Sequence, residues 1–129
     1  MSSRQLYAVR VFTHRWERAL AFYRDTLDLP LSYEDGELGW AQFDLGGTYL
    51  ALEQCDPAEQ EAKSLVGRFV GVSIAVENIQ MEYETLLARG VVFTSPPTTQ
   101  SWGGVLAHFK DLDENILTFL ESPADRESP

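Results

Sequence analysis

Hydrophobic positions along the chain change their period twice, and the same succession occurs in each half. Val9 and Val11 alternate with Ala8, Arg10 and Phe12, a period of two that predicts a strand over Leu6–Phe12. From His14 the period becomes helical. Trp16, Leu20, Tyr23 and Leu27 recur with Ala19 and Phe22 beside them, while Arg15, Glu17, Arg18 and Arg24 fall mostly on the opposite side. That is an amphipathic helix of about three turns. Leu31–Tyr33 reads as extended, and Asp35-Gly36 predicts a tight hairpin because both turn positions accept positive φ. Trp40–Leu45 and Tyr49–Glu53 read as strands separated by the turn Gly46-Gly47. The first half, residues 5–55, is therefore β-α-β-β-β.

A polar, proline-bearing linker follows over residues 56–67, with room for one helical turn. The order then restarts over residues 68–122. Val70–Val76 alternates as a strand, and Asn78–Ala88 is helical with Ile79, Tyr83, Leu86 and Leu87 on one face. Gly90 is placed to end that helix in a left-handed conformation. Val91–Thr94 is extended and Pro96-Pro97 breaks the chain. Val105–Lys110 and Asn115–Glu121 are strands joined by Asp111-Leu112-Asp113-Glu114, read as a solvated turn rather than a calcium loop. Val9-Arg10-Val11-Phe12 corresponds to Val72-Ser73-Ile74-Ala75, and Tyr49–Glu53 corresponds to Ile116–Leu120. This internal repeat predicts an α+β fold of two βαβββ modules in one domain. One helix covers one sheet face in each module, so the other faces need a partner, and a ligand cleft between the sheets is expected. The polar tail 123–129 is expected to be disordered.

The chain's 129 residues suit one domain, and 44% hydrophobic residues suffice for a core. No apolar run approaches the ~20 residues that span a bilayer. Met1–Gln5 is polar and has no apolar signal region, and the lone Cys55 excludes an internal disulfide. Both features predict a cytoplasmic protein. A formal net charge of −10 makes nucleic acid and membranes poor partners. It promotes solubility and attracts cationic ligands.

Two segments carry a family resemblance. Ala19-Leu20-Ala21-Phe22-Tyr23-Arg24-Asp25-Thr26-Leu27 resembles the first helix of the vicinal oxygen chelate superfamily, which includes glyoxalases, extradiol dioxygenases, fosfomycin-resistance enzymes and bleomycin-resistance proteins. His108-Phe109-Lys110-Asp111-Leu112-Asp113-Glu114-Asn115 is similar to that superfamily's late aromatic-x-x-Asp-Pro-Asp-Gly-Asn turn, with Leu112 and Glu114 in place of the proline and glycine. Metal-dependent members hold a divalent ion with four side chains, usually His or Gln, Glu, His and Glu. The resemblance places these at Ala8, Ala51, Gly71 and Thr118. Three have no donor atom, and a register slip of one residue yields only apolar alternatives. The resemblance thus implies a site without metal or other cofactor, and a homodimer.

Several residues are candidates for the ligand face. Arg10 and Glu53 either pair with each other or orient a charged substrate. His108 is the candidate general acid or base, or else a half-buried histidine with a backbone partner. Trp102, in Trp102-Gly103-Gly104, resembles a Trp-Gly of bleomycin-resistance proteins and either stacks a flat ligand or packs over the cavity mouth. Trp40 is a second wall, and Phe12, Tyr49, Ser73 and Thr118 complete the lining. Trp16 is expected in the core, and His14 is expected to be exposed or to cap the first helix. Two functions follow. One is a metal-free protein that binds a small, flat or cationic molecule. The other is a glyoxalase-like enzyme using His108, Arg10 or Glu53.

Overall fold

A computed structural model describes residues 3–123, so the tail beyond Pro123 lies outside the described residues. The elements run β1 (Ala8–Thr13), α1 (Trp16–Ala21, continued as a π-helical turn Phe22–Thr26), β2 (Leu31–Asp35), β3 (Trp40–Asp44), β4 (Tyr49–Gln54), α2 (Ala62–Leu65), β5 (Phe69–Ala75), α3 (Ile79–Ala88), β6 (Val92–Phe93), β7 (Thr98–Thr99), β8 (Val105–Lys110) and β9 (Ile116–Glu121). The fold is mixed α+β with two sheets. The chain divides into two compact units between Val66 and Gly67.

In the first unit the strand order is β1-β4-β3-β2, with β1 parallel to β4 and the other neighbours antiparallel. Alternation sorts each strand into two faces, and on β1 and β4 the second face also carries buried residues, Phe12 and Ala51. Val11, Ala41, Phe43, Leu50 and Leu52 are buried on one side, as are Trp16, Ala19, Leu20, Phe22 and Tyr23 of the helix. Burying each large side chain stabilises the unit by roughly 1.5–3 kcal/mol. The helix ends in a widened turn, where the Leu27 N–H donates to the Phe22 carbonyl at 2.9 Å. The hairpin after β2 is present but not of the two-residue type. Asp35 Oδ1 accepts from the N–H groups of Glu37 and Leu38, and the positive φ falls on Gly39 at 72°. The aspartate side chain stabilises a wider turn than the Asp-Gly pair suggested. Close packing also requires glycine at position 39, since a Cβ there would come within 2.6 Å of Gln54 Cβ.

In the second unit the order is β5-β9-β8-β6, with β7 also pairing β8. Asn78 caps α3 by accepting from the Met81 N–H at 3.1 Å. The helix closes in a Schellman arrangement: Val91 N–H donates to Leu86 O, Gly90 N–H donates to Leu87 O, and Gly90 has φ 87°. Ile79 and Leu86 are buried, but Leu87 is 43% exposed and leaves the predicted apolar face. It lies one residue, or about 100°, around the helix from Leu86.

The repeat extends to the hydrogen-bond register. Arg10 pairs with Ala51 and Val11 with Leu52 in the first unit, and Ser73 pairs with Thr118 and Ile74 with Phe119 in the second. These are the correspondences that the sequence repeat predicts. The modules differ at β5, where the register shifts between Phe69 and Ser73 around Gly71, φ 80°. That is bulge geometry, which glycine adopts at little cost.

The turn after β8 overturns one expectation. Asp111 and Asn115 are buried rather than solvated, and β9 begins at Ile116, one residue after Asn115. Asp111 Oδ1 accepts from the N–H groups of Asp113 and Asn115, while Asn115 Nδ2 donates to Asp111 Oδ2 at 2.9 Å. Asn115 Oδ1 accepts from the Gly67 N–H at 2.8 Å. A carboxylate can be buried here because protein donors replace water around it.

Candidate functional site

The open face of the first sheet is laid out in cross-strand rows. The pairings align Phe12, Glu53 and Trp40 in one row, Arg10, Ala51 and Gln42 in the next, and Ala8, Tyr49 and Asp44 in the third. Phe12, Trp40 and Tyr49 thus share this face with Ala8 and with Ala51, which is fully buried. Arg10 Nη1 donates to Glu53 Oε1 at 3.1 Å, and its guanidinium lies 5.3 Å from the Phe12 ring centroid. The pair that the sequence suggested is formed. Its side chains are 57% and 30% exposed, so solvent screens it and little is lost if a ligand displaces one partner. Phe12 is buried, and Tyr49 is half-buried with its ring 5.2 Å from that of Tyr7.

Gln42 was not among the sequence candidates. Its Oε1 accepts from the Trp40 indole N–H at 2.8 Å and from the Tyr7 hydroxyl at 3.0 Å. Trp40 is thus both a wall of the face and a clamp on its neighbour. The available signal was alternation, which puts Gln42 on the same face as Trp40.

On the open face of the second sheet, Ser73, Thr118 and His108 form one row. His108 Nδ1 lies 2.7 Å from Thr118 Oγ1, and the His108 ring meets Phe69 edge-on at 5.7 Å. The partner is a buried hydroxyl, not the backbone group considered from sequence. Ser73 is exposed. Trp102 is 57% exposed, so it does not belong to the core. A Cβ on Gly104 would come within 2.1 Å of its indole. The space left by Gly104 therefore holds the ring of Trp102 itself.

His14 corrects another expectation. Arg15 is the N-cap of α1 and makes no side-chain capping bond, while the Thr13 hydroxyl accepts from the Arg15 N–H at 2.9 Å. His14 is half-buried, with Nδ1 3.3 Å from the Cys55 carbonyl and 3.8 Å from Cys55 Sγ. Trp16 is buried as predicted.

Comparison with known proteins bears on this arrangement. The profile of the Glyoxalase/Bleomycin resistance protein/Dioxygenase superfamily matches residues 5–119. The chain belongs to this superfamily. Protein YraH of Bacillus subtilis (strain 168) is 30% identical over 122 residues, covering 88% of this chain and 94% of its own. A superfamily member from Sphaerobacter thermophilus DSM 20745 superposes with a TM-score of 0.79 at 26% identity, covering 92% of this chain and 98% of that one. TnmS3, an antibiotic binding protein from Streptomyces sp. CB03234, shares the fold with a TM-score of 0.76 at 23% identity, covering 94% of this chain and 98% of its own.

The positions at which the resemblance places the ligands of a divalent ion are poor in donor groups. Ala8, Ala51 and Gly71 offer no donor side chain, and the Thr118 hydroxyl is engaged by His108. Among the described residues, no three His, Cys, Asp or Glu side chains come together as a ligand set. Likewise, no helix among them is long and apolar enough to cross a membrane.

Proposed function

We propose that this superfamily member binds a planar organic molecule and does so without a divalent metal. The observation that carries the reading is the face of the first sheet on which the half-buried rings of Trp40 and Tyr49 stand beside Phe12 and Ala8. The rings supply apolar area and stacking for a flat body. In the second unit, taken by itself, Trp102 offers a platform of its own, with Ser73 and Thr118 as polar groups on its sheet. TnmS3, an antibiotic binding protein with the same fold, is consistent with this use. The chain acts as one domain in a reducing cytoplasm, with neither nucleic acid nor membrane as partner. It forms a homodimer that covers apolar surface such as Phe69 and Tyr33, 57% and 52% exposed in the single chain.

A second reading has a specific observation behind it. The short His108–Thr118 contact orients the imidazole, as a general acid or base requires. In that reading the protein is a glyoxalase-like enzyme that uses His108, Arg10 or Glu53.

Two measurements test the binding reading. Stacking contributes roughly 1–3 kcal/mol, so Trp40→Ala and Trp102→Ala should each weaken binding of the flat hydrocarbon fluorene about five- to a hundred-fold. Equilibrium dialysis reads this directly, and unchanged binding in both variants would sink the reading. Native mass spectrometry after incubation with nickel, zinc and manganese should show twice the 14.5 kDa chain mass and no stoichiometric ion. A monomer would remove the dimer, and a retained ion lost on His108→Ala would favour the enzyme.

A further inference from the structure

We infer that Gln42 selects ligands carrying a hydrogen-bond acceptor on the edge of the ring, such as an aryl ketone, over their plain hydrocarbon counterparts. The inference rests on the binding reading above and adds the ligand's chemical class to it.

The argument begins with the amide's orientation. The oxygen and nitrogen of a glutamine amide are distinguished by their partners. The indole N–H of Trp40 can only donate, so the Gln42 atom 2.8 Å from it must be the carbonyl oxygen. The Tyr7 hydroxyl donates to the same oxygen at 3.0 Å. Two donors from different strands and segments therefore hold Oε1, and the NH2 group is left with both hydrogens. No described residue accepts from Nε2. Among the described residues no buried side-chain nitrogen or oxygen lacks a partner, so Nε2 is open to solvent.

The location gives this donor a use. Gln42 pairs with Ala51, which in turn pairs with Arg10, so the amide stands in the middle row of the face, beside the half-buried ring of Trp40. A flat ligand stacked on Trp40 would bring its edge to the NH2 group. A carbonyl oxygen at that edge replaces the water lost from Nε2. A C–H or CH2 group leaves the donor desolvated and unpaired. That asymmetry is what makes a fixed polar group selective. The clamp matters because a freely rotating amide would offer its oxygen or nitrogen to either kind of ligand.

The probes are 9-fluorenone and fluorene, which share a planar tricyclic frame and differ in C=O against CH2. Equilibrium dialysis of each at low micromolar concentration gives the ratio of their affinities. The wild-type protein should hold the ketone about tenfold more tightly. Gln42→Met removes the donor and should bring the ratio to about one. Gln42→Glu keeps an oxygen for Trp40 and Tyr7 but has no NH2 group, and it should bring the ratio to one or below. This second variant decides the matter if the first does not fold. A wild-type ratio near one, or a tenfold ratio that survives in Gln42→Glu, overturns the inference and leaves the binding reading standing. Binding of neither probe overturns both.

Discussion

Asn115→Ala is expected to destabilise the protein by about 2–4 kcal/mol, the sum of two losses. The first is the hydrogen bond from Asn115 Nδ2 to the Asp111 carboxylate at 2.9 Å. A bond to a charged, buried acceptor contributes about 1.5–3 kcal/mol, and Asp111 has no water to substitute for it. The second is the acceptor for the Gly67 N–H, which Asn115 Oδ1 takes at 2.8 Å across 48 residues of sequence. Gly67 is exposed, so water can take up its N–H, and this loss is the net worth of one hydrogen bond, about 0.5–1.5 kcal/mol. Asn115→Asp should be at least as harmful, because it sets a second carboxylate beside the first. Urea unfolding at neutral pH measures both variants. A loss of cooperative unfolding agrees with the expectation, whereas a change below about 1 kcal/mol for Asn115→Ala would mean that the buried turn tolerates water.

Phe109→Ala is the second large effect, about 3–5 kcal/mol of stability. Phe109 is fully buried, stacked on Phe119 at 4.8 Å and 22°, with Phe93 tilted against it at 6.0 Å. Removing the ring loses its burial and leaves a cavity that two other rings cannot both collapse into. The neighbouring residue on β8, His108, faces the other side of the sheet, so the alteration acts on the core and not on the open face. Leu112→Ala is a suitable control, because Leu112 is 42% exposed and should change stability by no more than about 0.5 kcal/mol. If the two variants unfold at the same urea concentration, the aromatic stack is not the centre of the second unit's core.

Local patterns made much of this architecture legible. Period-two and helical spacings are set by backbone geometry within a few residues, so the strands, the helix faces and the repeat could be read before any contact was known. The same locality explains the left-handed Gly90 and the buried Trp16. Even the pairing of Arg10 with Glu53 follows from two adjacent strands presenting opposite charges on one face.

What tertiary structure decided involves partners far apart in the chain. Alternation shows that Gln42 faces the open side, but its orientation depends on Tyr7, 35 residues earlier, and on the clamp from Trp40. Asp111 looked solvated because charged turn residues usually are. It is buried because Asn115 and backbone N–H groups replace its water. Asp35-Gly36 looked like a two-residue turn because the dipeptide allows it, while the Asp35 carboxylate and the contact between Gly39 and Gln54 selected a wider one. The sequence by itself determined which faces are apolar and where the chain repeats, since those are properties of spacing. Only the fold decided which polar groups are paired and which are left to meet a ligand, because that depends on distances between residues that the sequence does not bring together.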